Sequence, residues 1–153
     1  MRIHSFVRMT VVAGVLLVTS LAHGQAKPRI VDLTGNDQMK YNLATIAAKP
    51  GETLRIRLKS IGTLPKIAMG HNFVLLAKGT DAAAFTKAAA AAYSTGYIPP
   101  AMKGKVLAMT TLVGPGETAE VTFKVPAAPG SYAYLCSFPG HFLAGMKGTL
   151  VVK

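Results

Sequence analysis

The chain places its only cysteine, a histidine and a methionine within eleven residues, Cys136-Ser-Phe-Pro-Gly-His141-Phe-Leu-Ala-Gly-Met146, and a strand-like tail, Thr149-Leu-Val-Val-Lys153, follows almost at once. A soft thiolate, an imidazole and a thioether form a donor set that selects copper, with the thioether as the weak, long axial partner. Donors one to three residues apart on a strand would lie along one surface and could not surround an ion. Here Cys136 ends the strand-like run from Ser131, while Pro139, Gly140 and Gly145 let the chain turn. The three donors can then converge from different directions. A second imidazole is needed to complete such a site, and His71, in Met69-Gly-His-Asn-Phe73, is the candidate from a remote segment.

A single cysteine cannot form an internal disulfide, so Cys136 is a free thiol, an intermolecular bridge or a metal ligand. The amino-terminal residues bear on that choice. Arg2 and Arg8 precede an apolar run from Thr10 to Ala22, and small residues surround Ala22-His-Gly24. This is the pattern of a secretory signal peptide, residues 1–24, with cleavage after Gly24 or after Ala26, leaving 25–153 as one domain. The run is shorter than the roughly 20 apolar residues that span a bilayer, which argues against an uncleaved anchor. In an oxidising compartment an exposed free thiol is a liability, which favours the ligand reading.

Lysine and arginine number 17 against 6 acids, a formal net charge of +11. The cations are scattered and form neither a run nor a nucleic-acid-binding motif, so nucleic acid is not an expected partner. Steering toward an acidic partner or an anionic surface, and simple solubility, both remain readings of this charge.

From Arg29 the pattern is β. Arg29–Thr34 and Lys40–Ile46 read as short strands around Gly35-Asn-Asp37. Leu54, Ile56 and Leu58 alternate with Arg55, Arg57 and Lys59, the period-2 mark of a strand with one buried face. Further strands are expected over Gly70–Ala77, Lys105–Leu112, Val121–Val125, Ser131–Cys136 and from Gly148 onward. Lys49-Pro-Gly-Glu52 and Gly114-Pro-Gly-Glu117 are turns. About eight short strands between such turns argue a β-sandwich. The exception is alanine-rich Asp81–Ala92, a helix that Thr80 or Asp81 can cap, laid on the sandwich through Phe85 and Tyr93. Gly96–Gly104 reads as a loop returning to the sheet.

With these segments in place the sequence resembles the small blue copper proteins of the cupredoxin superfamily, azurin and auracyanin in particular. The likeness rests on Gly35-Asn-Asp-Gln-Met39, on Leu64-Pro-Lys66 followed by Met69-Gly-His-Asn72, and on Cys136-x-Phe-Pro-Gly-His141 with Met146-Lys-Gly-Thr-Leu150. It implies an all-β, eight-stranded Greek-key sandwich with one short helical flap around 81–93. It also implies one type 1 copper ion cycling between Cu(II) and Cu(I). His71, Cys136 and His141 would be equatorial ligands, Met146 the axial one, and Gly70 a weak carbonyl contact. Asn72 and Phe138 would surround the ligands, Asn72 by hydrogen bonding across to the second ligand loop. Four residues separate His141 from Met146, as in plastocyanin and auracyanin, where azurins usually have three. Ile61 stands where some azurins carry a titrating histidine, and Phe73 where azurins often carry a tryptophan.

Such a ligand set leaves no open position for substrate, and the phosphate-loop, Gly-x-Ser-x-Gly and His-Glu-x-x-His motifs are absent from the sequence. The expectation is therefore not an enzyme but a soluble periplasmic one-electron carrier, expected as a monomer. His141, near the surface and ringed by Met69, Pro139, Phe142, Leu143 and Ala144, would be the electron exit. Redox proteins such as c-type cytochromes, or a copper or haem reductase or oxidase, would dock on that apolar patch, with Lys66 and Lys147 available to steer them. A periplasmic copper-binding or chaperone protein is the alternative function. A structural zinc site on His71, Cys136 and His141 is chemically conceivable as well, since zinc accepts the same atoms.

Overall fold

The computed structural model describes residues 27–153, so the expected leader lies outside the described residues. With strands numbered along the chain, one sheet holds β1 (Arg29–Gly35), β3 (Thr53–Ser60) and β6 (Thr118–Lys124), in the order β1-β3-β6. The second holds β2 (Thr45–Ala48), β8 (Lys147–Val152), β7 (Gly130–Leu135), β4 (Val74–Leu76) and β5 (Val106–Met109), in that order. The pairs β1–β3 and β2–β8 are parallel, and the remaining neighbours are antiparallel. The chain passes repeatedly from one sheet to the other, as in a Greek-key sandwich.

Alternation fixes which faces meet. Leu54, Ile56 and Leu58 of β3 and Val31 and Leu33 of β1 are buried against Leu75, Tyr132, Tyr134, Leu150 and Val152 of the opposite sheet. Each fully buried aliphatic side chain contributes on the order of 1.5–3 kcal/mol. On the outer face Arg57 pairs with Asp32 at 2.6 Å and Arg55 with Glu120 at 3.7 Å. Both pairs are open to water and add little to stability.

Three expected strands are shorter than their sequence patterns. Lys40–Ile46 contributes only Thr45 and Ile46 to β2, because Asn side chains take over the backbone bonding before it. Asn36 Oδ1 accepts from Lys40 N at 3.1 Å and Asn42 Oδ1 accepts from Thr34 N at 2.7 Å, which competes with a regular ladder. Gly70–Ala77 keeps its ladder only at Val74–Leu76, and Lys105–Leu112 only at Val106–Met109.

The alanine-rich helix is α2 (Ala82–Ala89), capped by Asp81 Oδ1, which accepts from Ala83 N at 2.9 Å and Ala84 N at 3.0 Å. It stops before Tyr93, which enters a 3₁₀ turn and is 68% exposed, so Phe85 and Ala89 anchor the flap and Tyr93 does not. The expected loop over Gly96–Gly104 largely becomes a 3₁₀ helix, Pro100–Lys105. Two single-turn helices, α1 (Lys66–Met69) and α3 (His141–Ala144), replace what the sequence presents as loop.

Tyr134 ties the segment before β2 to the core. Its ring is wholly buried and its hydroxyl donates to the Leu43 carbonyl at 2.6 Å. Burial pushes its pKa up to about 12, so it remains a donor across the physiological range. Tyr134→Phe leaves that carbonyl without its partner and is expected to lower stability by about 1–2 kcal/mol. The loss should appear as a lower urea midpoint at unchanged m-value. An unaltered midpoint would mean that other contacts hold the segment.

Candidate metal centre

Two loops at one end of the sandwich build the site. The first leaves α1 and reaches β4 through Gly70, His71 and Asn72. Here His71 makes a two-way backbone bridge with Val113, donating to its carbonyl at 3.0 Å and accepting from its N–H at 2.8 Å. The second runs from the end of β7 through α3 to the start of β8, carrying Cys136, His141 and Met146. Its turns use Gly140 and Gly145, both left-handed with φ of 83° and 101°. Cys136 N donates to the Met146 carbonyl at 3.1 Å and Met146 N to the His141 carbonyl at 2.9 Å, so the loop is closed on itself.

The donor atoms converge. One nitrogen of His71, one of His141 and the Cys136 sulfur all lie within 4.8 Å of one another. The two Nδ1 atoms are 3.3 Å apart, and Cys136 Sγ is 3.5 Å from His141 Nδ1 and 3.9 Å from the Gly70 carbonyl oxygen. All three residues are buried, and Met146 is buried in the same cluster as Cys136, Phe138 and Tyr97.

Asn72 joins the two loops. Its Oδ1 accepts from Ser137 N at 2.9 Å, and its Nδ2 donates to Ser137 Oγ at 2.8 Å. Phe138 packs its ring 4.7 Å from that of His141 and lies beneath Gly70.

Sequence reasoning missed four supporting residues. Ser137 receives the Asn72 amide. Tyr41 donates its hydroxyl to the Asn72 carbonyl. Asp37 accepts from Thr63 N at 2.8 Å and Thr63 Oγ1 at 2.9 Å, fixing the approach to α1, and its carboxyl is held below the usual range chiefly by the Thr63 backbone bond. At Gly35 a Cβ would sit 2.7 Å from Met146 Cε and 2.9 Å from His71 Cδ2, so any side chain there would displace the Met146 methyl or the His71 ring. Long-range contacts of this kind leave no local signal beyond the turn-forming Gly-Asn-Asp run.

Two expected surface features differ. His141 is only 2% exposed, its ring packed against those of Phe138 and His71. Lys66 pairs with Glu117 at 2.8 Å, which neutralises it for steering, while Lys147 stands 4.6 Å over the Phe142 ring.

Burial sets the protonation of the metal-free site. It pushes the Cys136 thiol up to about 12 and His141 down to about 4, the latter helped by the neighbouring His71. His71 is likewise lowered by burial, against the opposing pull of Asp37 and the Asn36 carbonyl. Its Nε2 has no partner within hydrogen-bond geometry. Two neutral imidazoles and a sulfur facing one point, with a thioether beside them, match copper's preferences, and no carboxylate joins them as a hard cation would require.

Comparison with known proteins agrees. The family model for copper-binding proteins of the plastocyanin/azurin family matches residues 30–153. Azurin of Pseudomonas denitrificans is 40% identical over 126 residues, covering 80% of this chain and 97% of that protein. Auracyanin A, a blue copper protein of Chloroflexus aurantiacus, superposes with a TM-score of 0.73 at 30% identity, covering 83% of this chain and 100% of the other. An azurin of Methylomonas sp. strain J superposes with a TM-score of 0.71 at 34% identity, covering 82% and 98% respectively.

The depressed histidine pKa values make a prediction for the metal-free protein. Between pH 4 and 6.5 the unfolded chain binds protons that the folded His141 refuses, so stability falls with falling pH across that window. Relative to pH 7.5, the loss at pH 5 from His141 alone is roughly 2 kcal/mol. Chemical denaturation of the metal-free protein at the two pH values measures it. Equal stabilities would show that the ring is hydrated and titrates normally.

Proposed function

The chain belongs to the plastocyanin/azurin family of copper-binding proteins, and from that premise we propose that it is an exported one-electron carrier whose single type 1 copper is held by His71, Cys136, His141 and Met146. When bound, copper supplies a couple between Cu(II) and Cu(I). The observation that carries the reading is the convergence of three buried donor atoms from two loops within 4.8 Å, beside a buried thioether.

The residues of the chain do the rest. His71, Cys136 and Met146 are closed off from solvent and His141 nearly so, which excludes water and substrate from the donors. The Asn72–Ser137 bonds and the backbone bonds closing the second loop keep the donors in place in either charge state. In the metal-free protein burial keeps Cys136 a thiol, the less reactive form toward oxidants; binding a metal exchanges that proton for the ion. Burial of every donor also disfavours a chaperone, which must present its ligands to a recipient.

The exit surface lies over His141. Leu143, on the second ligand loop, is 84% exposed, and Ile67, in the helix before the first, is 79% exposed. Such a surface suits brief docking of redox proteins such as c-type cytochromes or a copper or haem reductase or oxidase. Arg2 and Arg8, the Thr10–Ala22 run and the small residues after it support a leader and a periplasmic location.

The visible and EPR spectra of copper-loaded protein test the site. An intense blue oxidised form that bleaches on uptake of one electron is expected, and Cys136→Ser should abolish the colour. Protein that stays colourless with oxidised copper contradicts the reading. Leu143→Glu should leave the spectrum unchanged and slow electron transfer to a c-type cytochrome by about tenfold, the scale of a lost interface contact. An unchanged transfer rate would place docking elsewhere.

A further inference from the structure

Seven cations of this molecule gather at one end. Arg29 opens β1 opposite Leu54, and Thr53 pairs with Lys124 at the close of β6, so Lys27, Arg29 and Lys124 share one end of the first sheet. In the second sheet Val152 is partnered by both Ala48 and Gly130, and Leu76 by Val106. That brings Lys49, Lys78, Lys105 and Lys153 to the corresponding end. The ends are joined, since Arg29 Nη2 donates to the Ala47 carbonyl at 2.7 Å and Glu52 accepts from Lys49 N at 2.9 Å.

All of these cations are exposed. The nearby carboxylates are engaged, Glu52 with Arg29 at 2.5 Å and Asp81 in capping α2. Among the described residues none of these lysines has a carboxylate within ion-pair distance. The metal centre is at the opposite end. Gly35, which abuts His71 and Met146, closes the strand that Arg29 opens, roughly 20 Å away along it.

We propose that this cationic end holds the protein on an anionic phospholipid surface, with the metal end turned outward. The attachment stands on the charge distribution; only the use of the outward face for redox partners rests on the electron-carrier reading. Two observations favour lipid over an acidic protein. The cations are lysines apart from Arg29, compact hydrated charges without the planar fork that recognises a carboxylate in a fixed geometry. Protein interfaces centre on a desolvated apolar core, and exposed Ile61, Leu64, Ile67, Tyr93 and Leu143 gather at the metal end; beside the cations the exposed large apolar residues are Ile30 and Leu107.

Each lysine close to an anionic surface raises partitioning about fivefold at physiological ionic strength, and salt removes the effect as the screening length shrinks. The test is sedimentation of the exported, copper-loaded protein with phosphatidylcholine vesicles, with and without phosphatidylglycerol. Binding is expected only with phosphatidylglycerol and is lost in high salt. The triple variant Lys49→Gln/Lys124→Gln/Lys153→Gln should bind at least about tenfold more weakly. The triple variant Arg57→Gln/Lys59→Gln/Lys87→Gln, which changes net charge equally, should bind nearly as the parent does. An unchanged visible spectrum shows that each variant is folded. Equal losses in the two variants, equal binding to neutral vesicles, or retention by soluble polyglutamate without vesicle binding would each overturn the proposal. Colourless protein that still bound these vesicles would fail the carrier reading and leave this one standing.

Discussion

The amide of Asn72 clasping Ser137 is the interaction on which the site depends. Two loops from distant parts of the chain must present donors to one point, and neither is part of a regular ladder where it does so. Asn72 follows His71 directly, and Ser137 follows Cys136 directly. The paired bonds between them, one from the Ser137 backbone and one to its hydroxyl, therefore set the distance between the first imidazole and the sulfur. Everything around the clasp is buried, so water does not compete for these bonds.

The rest of the fold holds that clasp rigid. Tyr41 secures the Asn72 carbonyl, Val113 brackets His71 on both backbone groups, and Asp37 fixes the approach to α1. Gly35 leaves room for the His71 ring and the Met146 methyl to pack against the first sheet. The consequence is a set of buried donors held together by the protein's own bonds, at the cost of a thiol and two imidazoles that burial keeps from ionising normally. An ion that accepts those atoms relieves that cost, so metal binding and stability are coupled.

Much of this was legible in the sequence, and the limits have a physical cause. The strand faces follow from alternation at Leu54–Lys59, and the helix start from Asp81, because both are local patterns. Cys136, His141 and Met146 share a loop, so their spacing carries information about convergence. The truncated strands at Lys40–Ile46 and Gly70–Ala77 look regular by composition. The second loses its ladder to long-range partners, His71 to Val113 and Asn72 to Ser137, and the first to the nearby Asn36 and Asn42 side chains. Ser137 and Gly35 act only through residues remote in the chain. The pairing of Lys66 with Glu117, across two turns, was equally invisible and removes one of the expected steering charges.

The central claim is that the scaffold, not the ion, sets the positions of the donors. Crystal structures of the metal-free, Cu(I) and Cu(II) forms measure this directly. The account predicts that the donor atoms of His71, Cys136 and His141 keep their mutual distances within about 0.5 Å across the three, with the Asn72–Ser137 bonds intact. A metal-free form in which these donors move apart by clearly more than that, or in which the clasp opens, would contradict it.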